Sequence, residues 1–306
     1  MTNATDIPTH FKYDRHDEEW EKCLSDPDTK KIALTWLQAD DTFDRWRHNR
    51  MYALLSPLIK ADLNASWLTV GDGRYGTDAN ALLRMNLRNI HCSDISDKLL
   101  KIGAEQGFIK EFSAQNAESL GFQDNSFDYV LCKEAYHHLP RPHIALHEMF
   151  RVARKAVILI EPRDQQIDRS SFNFFLKVLN ILRGKGSNDS YGFEPVGNFV
   201  FSLSERECEK ILLGMNKRFV AFNGINDVYE SGVEFLKLTT TDQTERRWIR
   251  KLKFKLKCSD LLTKLRIRKS GLMHTILFKV DPDTVTLNAL REFNWKVKKL
   301  PLNPYA

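Results

Sequence analysis

Between residues 64 and 160, short apolar runs alternate with amphipathic stretches, and this rhythm constrains the fold more than any other feature of the chain. Ser66–Val70 precedes Asp78–Leu87, Asn89–Ser93 precedes Asp97–Glu105, Phe127–Cys132 precedes His143–Val152, and Ala156–Ile160 closes the series. Runs of strand length separated by runs of helix length imply a parallel sheet with helices on both faces. Right-handed crossovers then gather the carboxyl ends of the strands, and any ligand, along one edge. The expected fold is α/β: a doubly wound, Rossmann-like, mostly parallel seven-stranded sheet.

Residues 1–63 read as an N-terminal helical cap, and 64–306 as one domain with insertions at about 163–203 and 231–270. In the cap, Trp36, Leu37, Phe43, Trp46, Tyr52, Leu55 and Leu58 recur among charges, with Pro27 behind Asp26 near one helix start and Pro57 ending or kinking the last helix. Arg45, Arg47, His48, Arg50 and Tyr52 spread over more than one helical face. They read as a solvated surface, with a cap over a cofactor carboxylate or an anionic substrate as the functional alternative. The first insertion carries Gly184, Gly186, Gly192 and Gly197 and one predicted helix at Phe172–Leu182. Ser204 with Glu207 three residues on predicts a capped helix to Met215, and Phe219–Tyr229 and Met273–Val280 predict two further strands.

Composition narrows the class. Met1 to His10 lack the apolar core of a signal peptide, and no stretch approaches the roughly 18 apolar residues of a membrane span, so a cytoplasmic chain is expected. Cys23, Cys92, Cys132, Cys208 and Cys258 are scattered and odd in number, which speaks against a disulfide framework and a zinc site; no metal is expected. The net charge of +6 is concentrated: residues 246–269 hold eleven Lys or Arg against Asp260 alone, so the remainder is acidic. In that segment Trp248, Ile249, Leu252 and Leu256 fit a helical stripe, yet Leu252 to Leu256 also alternates like a strand. A solvated face over a buried stripe is the first reading, a helix on an anionic membrane surface the second, and nucleic acid the third, since no RNA-binding module accompanies it.

Two signals point to a nucleotide-containing ligand. Val70-Gly71-Asp72-Gly73-Arg74-Tyr75-Gly76 follows a predicted strand and opens a predicted helix, where glycine lets backbone approach a ligand closely. Asp94 ends the next predicted strand, 23 residues beyond Gly71, where a carboxylate accepts hydrogen bonds from both hydroxyls of a ribose. The same residue could instead cap the helix from Asp97. Neither signal separates a dinucleotide from another adenosine cofactor.

The block from Ser113 to Val152 separates them, with Asn116-Ala117-Glu118, Asp128-Tyr129-Val130-Leu131-Cys132-Lys133-Glu134 and His137-His138-Leu139-Pro140. With Asp94-Ile95-Ser96 it resembles the class I S-adenosylmethionine-dependent methyltransferases, especially the quinone-biosynthesis and small-molecule group, over about residues 64–162. The resemblance implies S-adenosyl-L-methionine as cofactor, lined by Gly71 and Gly73, with Asp94 on the ribose, Ile95 against adenine, and Asn116, Ala117 and Glu118 at the adenine edge. Lys133 and Glu134 would border the sulfonium, and Glu134, His137 and His138 are the candidates for a base. The chain departs from the family at Thr69 (usually an acid), Tyr75 (usually glycine), Asn116 (usually an acid) and Ala153-Arg154-Lys155 (usually preceded by Gly-Gly). Asp72 is expected to replace the missing acid at the methionine amino group. The implied reaction is methyl transfer to a small-molecule, sugar or lipid-linked acceptor, with oxygen favoured. An RNA or protein methyltransferase using 246–269, a nicotinamide oxidoreductase and a non-catalytic cofactor-binding regulator are the rivals. Oligomeric state is left open.

Overall fold

The computed structural model describes residues 14–38, 40–164, 192 and 199–305. The predicted helix Phe172–Leu182 and Gly184, Gly186 and Gly197 lie outside them. The chain leaves at Asp164 and is back beside the same strand at Leu203, whose N–H donates to Pro162 at 3.1 Å.

Four helices come first: α1 (Asp14–Ser25), α2 (Pro27–Gln38), α3 (Phe43–Ala53) and α4 (Ser56–Ala61). The alternating unit then runs β1 (Ser66–Val70), α5 (Thr77–Arg84), β2 (Asn89–Asp94), α6 (Lys98–Glu105), β3 (Glu111–Ala114), β4 (Phe127–Lys133), a 3-10 turn at Tyr136–His138, α7 (Pro142–Val152) and β5 (Ala153–Pro162). Then follow α8 (Glu205–Gly214), β6 (Phe219–Ile225), α9 (Gln243–Lys264), β7 (Leu272–Phe278), α10 (Thr284–Glu292) and β8 (Lys296–Lys299). The strands form one sheet in the order β3-β2-β1-β4-β5-β7-β6-β8. β1 to β5 pair in parallel, β7 runs antiparallel between β5 and β6, and β8 antiparallel on β6.

The sheet has eight strands among the described residues, one more than the seven expected. The addition is Lys-Val-Lys-Lys of β8; at the sheet edge only Val297 packs, partly buried, against the core, and the lysines blunt the edge. The basic segment is helical as far as Lys264, in α9, and its ambiguous part Leu252–Leu256 is helix because the buried residues Ile249, Leu252 and Leu256 follow the helical period.

Strict alternation along the central strands builds two cores. Trp67, Tyr129, Leu131, Ile158 and Ile276 face the helical N-terminal side, with Met51, Leu55, Leu58, Leu82 and Leu99. Leu68, Val70, Val130, Val157 and Leu159 face α7 and α8, with Leu146, Met149 and Leu212. Both faces are covered, as parallel strands require. Register sets the site: Val70 pairs with Ser93 and with Cys132, so Gly71, Asp94 and Lys133 emerge side by side where strand order reverses between β1 and β4.

The polar cluster on α3 is corrected by the structure. Arg45, Arg47 and Tyr52 are buried rather than solvated. Each has a partner that offsets its burial: Arg45 donates to the Trp36 carbonyl, Tyr52 to Asp78, and Arg47 to Asp44 and, through two nitrogens, to Asp227 after β6. The loop before α9 completes this seam, with Phe43 N–H donating to Leu236 at 2.8 Å and Leu238 N–H to Asp41 at 2.8 Å. Removing the Arg47 guanidinium strands two poorly hydrated carboxylates. Arg47→Ala is expected to cost about 3 kcal/mol of stability, read as a lower urea midpoint with an unchanged slope.

Candidate active site

At the carboxyl ends of β1, β2 and β4 lies a cavity of about 350 Å³, within the range of small-molecule sites. Its floor is the turn after β1. Gly71 sits at φ +76°, and a Cβ there would lie 2.4 Å from Ala135 Cβ. A Cβ on Gly73 would fall 2.8 Å from Asp94 Cγ and 2.4 Å from the Trp20 ring, filling the place where a ligand would pass. The third position of the turn differs. Tyr75 holds φ 58° without being glycine, and its ring is buried in the core beside Leu82 and Leu99. A side chain in that region costs about 1–2 kcal/mol, which the buried ring offsets. The small residue has moved to Gly103 of α6, where a Cβ would meet the Tyr75 carbonyl oxygen at 2.4 Å.

Asp72 is turned into the protein. Its carboxylate accepts from the N–H groups of Asp78 (2.9 Å) and Ala79 (2.8 Å) at the start of α5, from Thr69 Oγ1 (2.9 Å) and from Cys92 Sγ (3.3 Å). Burial and the neighbouring Asp78 push its pKa up, against the helix N–H groups that favour the charge. Asp72 lines the cavity, but its hydrogen bonds serve the turn, and Thr69 is one of their donors.

Asp94 lines the cavity at the end of β2. Its Oδ1 accepts from Ser96 N–H at 3.1 Å and from Trp20 Nε1 of α1 at 3.0 Å, and burial raises its pKa to about 6. α6 begins after Asp97, so Asp94 does not cap it. Ile95, Gln115, Asn116, Ala117 and Glu118 continue this wall. Asn116 Oδ1 accepts from Glu118 N–H at 2.9 Å, so the acceptor expected for an adenine amine already has a partner, and the amide donors are its uncommitted group. Glu118 is held by Arg141, whose Nε donates at 2.6 Å and backbone N–H at 2.9 Å.

The opposite wall comes from β4 and α3. Lys133 is buried, with Nζ 3.0 Å from Glu134 Oε2 and 3.5 Å from Asp78 Oδ1, over the Tyr52 ring. Glu134 is held at φ 50°, its N–H donating to Ile160 at 2.8 Å. Burial alone would raise its pKa, but Lys133 and His48 keep it well below the usual carboxylate range. His48 Nδ1 lies 3.7 Å from Glu134 Oε2 and is buried without a hydrogen-bond partner. Burial, then Lys133, holds His48 well below an ordinary histidine, hence neutral and able to accept a proton.

The structure separates the two candidate histidines. His138 lines the cavity. His137 stacks beside it with ring centroids 3.9 Å apart, but its Nδ1 bonds to Glu161. Glu161, fully buried at the end of β5, also accepts from Ala135 (3.1 Å) and Tyr136 (2.9 Å) and so shapes the loop after β4. Sequence reasoning missed Glu161 and the role of His48. A lone acid closing the apolar run Val157–Ile160 was a signal for the first; nothing in the order of α3 distinguished the second.

Residues 68–160 match the family model described as Methyltransferase domain. Curated relatives include a ubiquinone/menaquinone biosynthesis C-methyltransferase of Rhizobium meliloti, 28% identical over 171 residues, covering 50% of this chain and 65% of that protein. Its counterpart from Klebsiella pneumoniae is 31% identical over 119 residues, covering 34% and 47%. The chain thus spans about half to two thirds of the length of the curated relatives it matches. Among solved structures, magnesium protoporphyrin IX methyltransferase from Synechocystis is 17% identical with a TM-score of 0.47, covering 71% of this chain and 95% of that one. Residues 68–160, which match the methyltransferase domain, are the parallel part of the sheet whose strand ends open into the cavity.

The chemistry of the cavity suits S-adenosylmethionine: Gly71 and Gly73 bring no Cβ into its floor, Asp94 offers a carboxylate, and Gln115, Asn116 and Glu118 give a polar wall. Asp94→Ala is expected to weaken binding of S-adenosylhomocysteine about tenfold or more by calorimetry. Because the ionised form is the better acceptor, wild-type affinity should fall as pH drops through about 6, and Asp94→Asn should flatten that dependence.

Proposed function

We propose that this chain methylates a small molecule through an O–H-bearing acceptor placed against His48 and Glu134. One observation carries the reading: the glycine turn, Asp94 and His48, which burial and Lys133 keep neutral, line the same cavity. S-adenosylmethionine, when bound, supplies methyl as a sulfonium electrophile and departs as the neutral thioether, so the chain has only to align the acceptor and take its proton. Gly71, Gly73, Asp94, Ile95, Asn116, Ala117 and Glu118 would hold the cofactor, with Lys133 and Asp78 at its charged end. The His48 imidazole takes the acceptor proton, and Glu134, 3.7 Å from its Nδ1 and pinned by Lys133, stabilises the imidazolium that results. His138 borders the acceptor, and His137 holds it in place through Glu161.

A hydroxyl methylated on oxygen is the first reading, on a sugar or lipid-linked molecule. The printed activity of the quinone-biosynthesis relatives supports a second: removing a phenolic proton makes the neighbouring ring carbon nucleophilic, so the same base serves carbon methylation. Incubating the chain and methyl-labelled cofactor with fractionated cell extract tests both. Label in lipid or small polar fractions upholds the proposal, label in RNA or protein replaces its substrate class, and none in any fraction leaves a cofactor-binding regulator.

His48→Gln is expected to lower label incorporation about 100-fold while S-adenosylhomocysteine affinity stays within about twofold. In the wild type, the acid limb of the rate should fall below about pH 6.5, because the base must be unprotonated and its surroundings hold that pKa down. Equal rates for the two proteins would remove His48 from the chemistry.

A further inference from the structure

The basic helix α9 is the one motif that the cavity does not absorb. At 100° per residue its buried side chains Ile249, Leu252 and Leu256 mark one face, packed with Phe43, Val233 and Leu236. Directly opposite runs a second apolar stripe. Phe254 is 68% exposed, Leu261 55% and Leu265, just past the last turn, 59%, with exposed Cys258 between them. Spacings of seven and four residues put these side chains on one line along the helix. A helix inside a folded protein needs only one apolar face, so the second is unpartnered by the fold.

The charge around that stripe identifies its occupant. Arg247, Lys251 and Lys257 share the outward half of the helix, with Arg250 and Lys264 at its margins, all exposed. No carboxylate among the described residues comes within ion-pair distance of Arg247, Lys251 or Lys257. The helix has only two acids besides its cap, and both are engaged elsewhere: Glu245 accepts from the Thr240 hydroxyl, and Asp260 from Asn226 Nδ2 at 2.9 Å. The outward half therefore presents apolar side chains flanked by cations and no anion. A nucleic-acid phosphate would use the cations and leave Phe254, Leu261 and Leu265 in water. An anionic bilayer surface uses both.

We propose that the outward face of α9 docks on an anionic lipid surface. Phe254, Leu261 and Leu265 enter the boundary between headgroups and acyl chains, while Arg247, Lys251 and Lys257 meet the lipid phosphates. No described helix is long and apolar enough to cross a membrane, so this contact is peripheral. It also has a consequence for the cavity. α9 is seated on α3 through Ile249, Leu252 and the Lys253–Trp46 contact at 5.3 Å, and α3 carries His48 into the cavity. A docked α9 thus couples the lipid surface to the helix that faces the acceptor.

The test is co-sedimentation of the full chain with vesicles of phosphatidylcholine, alone or with one third phosphatidylglycerol. The expected result is binding to the anionic vesicles alone, weakened by high salt. Replacing Phe254, Leu261 and Leu265 together by Ser should lower the partition coefficient about tenfold or more. Lys251→Glu with Lys257→Glu should do the same, and both variants should bind S-adenosylhomocysteine as the wild type does. Absence of vesicle binding, or a serine variant that sediments like the wild type, overturns the proposal. Binding of a single-stranded RNA probe that survives the serine changes, without vesicle binding, reassigns the face to nucleic acid. The proposal does not depend on the methyltransferase reading: a chain that sediments with vesicles and ignores S-adenosylhomocysteine would sink that reading and leave this one standing.

Discussion

One buried carboxylate holds the open end of the sheet together. Asp72 receives hydrogen bonds from β1 through Thr69, from β2 through Cys92 and from the first N–H groups of α5. Those N–H groups have no partner within their own helix, and a carboxylate is the group that satisfies two of them and complements the helix dipole at once. With the N-terminus of α5 fixed to β1 and β2, the glycine turn keeps one path across the cavity floor. The placement of Asp94 depends on the same knot, because Asp72 N–H donates to the Ser93 carbonyl at 3.1 Å, one residue before it.

The rest of the cavity comes from helices outside the alternating unit, α1, α2 and α3. α3 brings Arg45, His48 and Tyr52 to the same opening, each next to a group of opposite character on the core: Tyr52 on Asp78, His48 beside Glu134, Lys133 between Asp78 and Glu134. These ionisable groups sit in one small volume and fix each other's charge. Lys133 keeps Glu134 ionised and His48 neutral, which is the protonation a proton acceptor needs. The unfavourable backbone at Glu134 belongs to the same arrangement: a non-glycine residue at φ 50° persists only where its surroundings over-determine it, and here a β5 carbonyl and Lys133 do so.

What the sequence disclosed follows from the range of the interactions involved. The alternation of β1 to β5 with their helices is a local, periodic property, so it reads off directly, as do Gly71, Gly73 and Asp94, which sit next to the strand ends that place them. Tyr75 at a glycine position looked like a weakness only because Gly103, its compensation, lies 28 residues away. Thr69 and Asp72 looked like a missing acid and its replacement, when together they make one capping unit. The polar cluster on α3 was the largest miss. Five polar residues at helical spacing are what a solvated face looks like, and their burial depends on Asp227, Asp78 and the Trp36 carbonyl, none of which the helix itself announces.

The two halves of the chain therefore differ in kind. The alternating unit is the part of the chain that matches the methyltransferase domain, over residues 68–160. The rest of the cavity wall comes from α1, α2 and α3, where Trp20 donates to Asp94 and His48 faces Glu134, and the seam Phe43–Leu236 ties α3 to the segment leading into α9. A fold whose strand ends are taken up by one cofactor can vary its acceptor only through such additions. α9 presents its cations and second apolar stripe on the side turned away from α3, while Ile249 and Leu252 brace it against Phe43 of the helix that carries His48 to the cavity. The proposed acceptor base and the proposed docking face therefore rest on two helices packed against each other, separate from the glycine turn and Asp94.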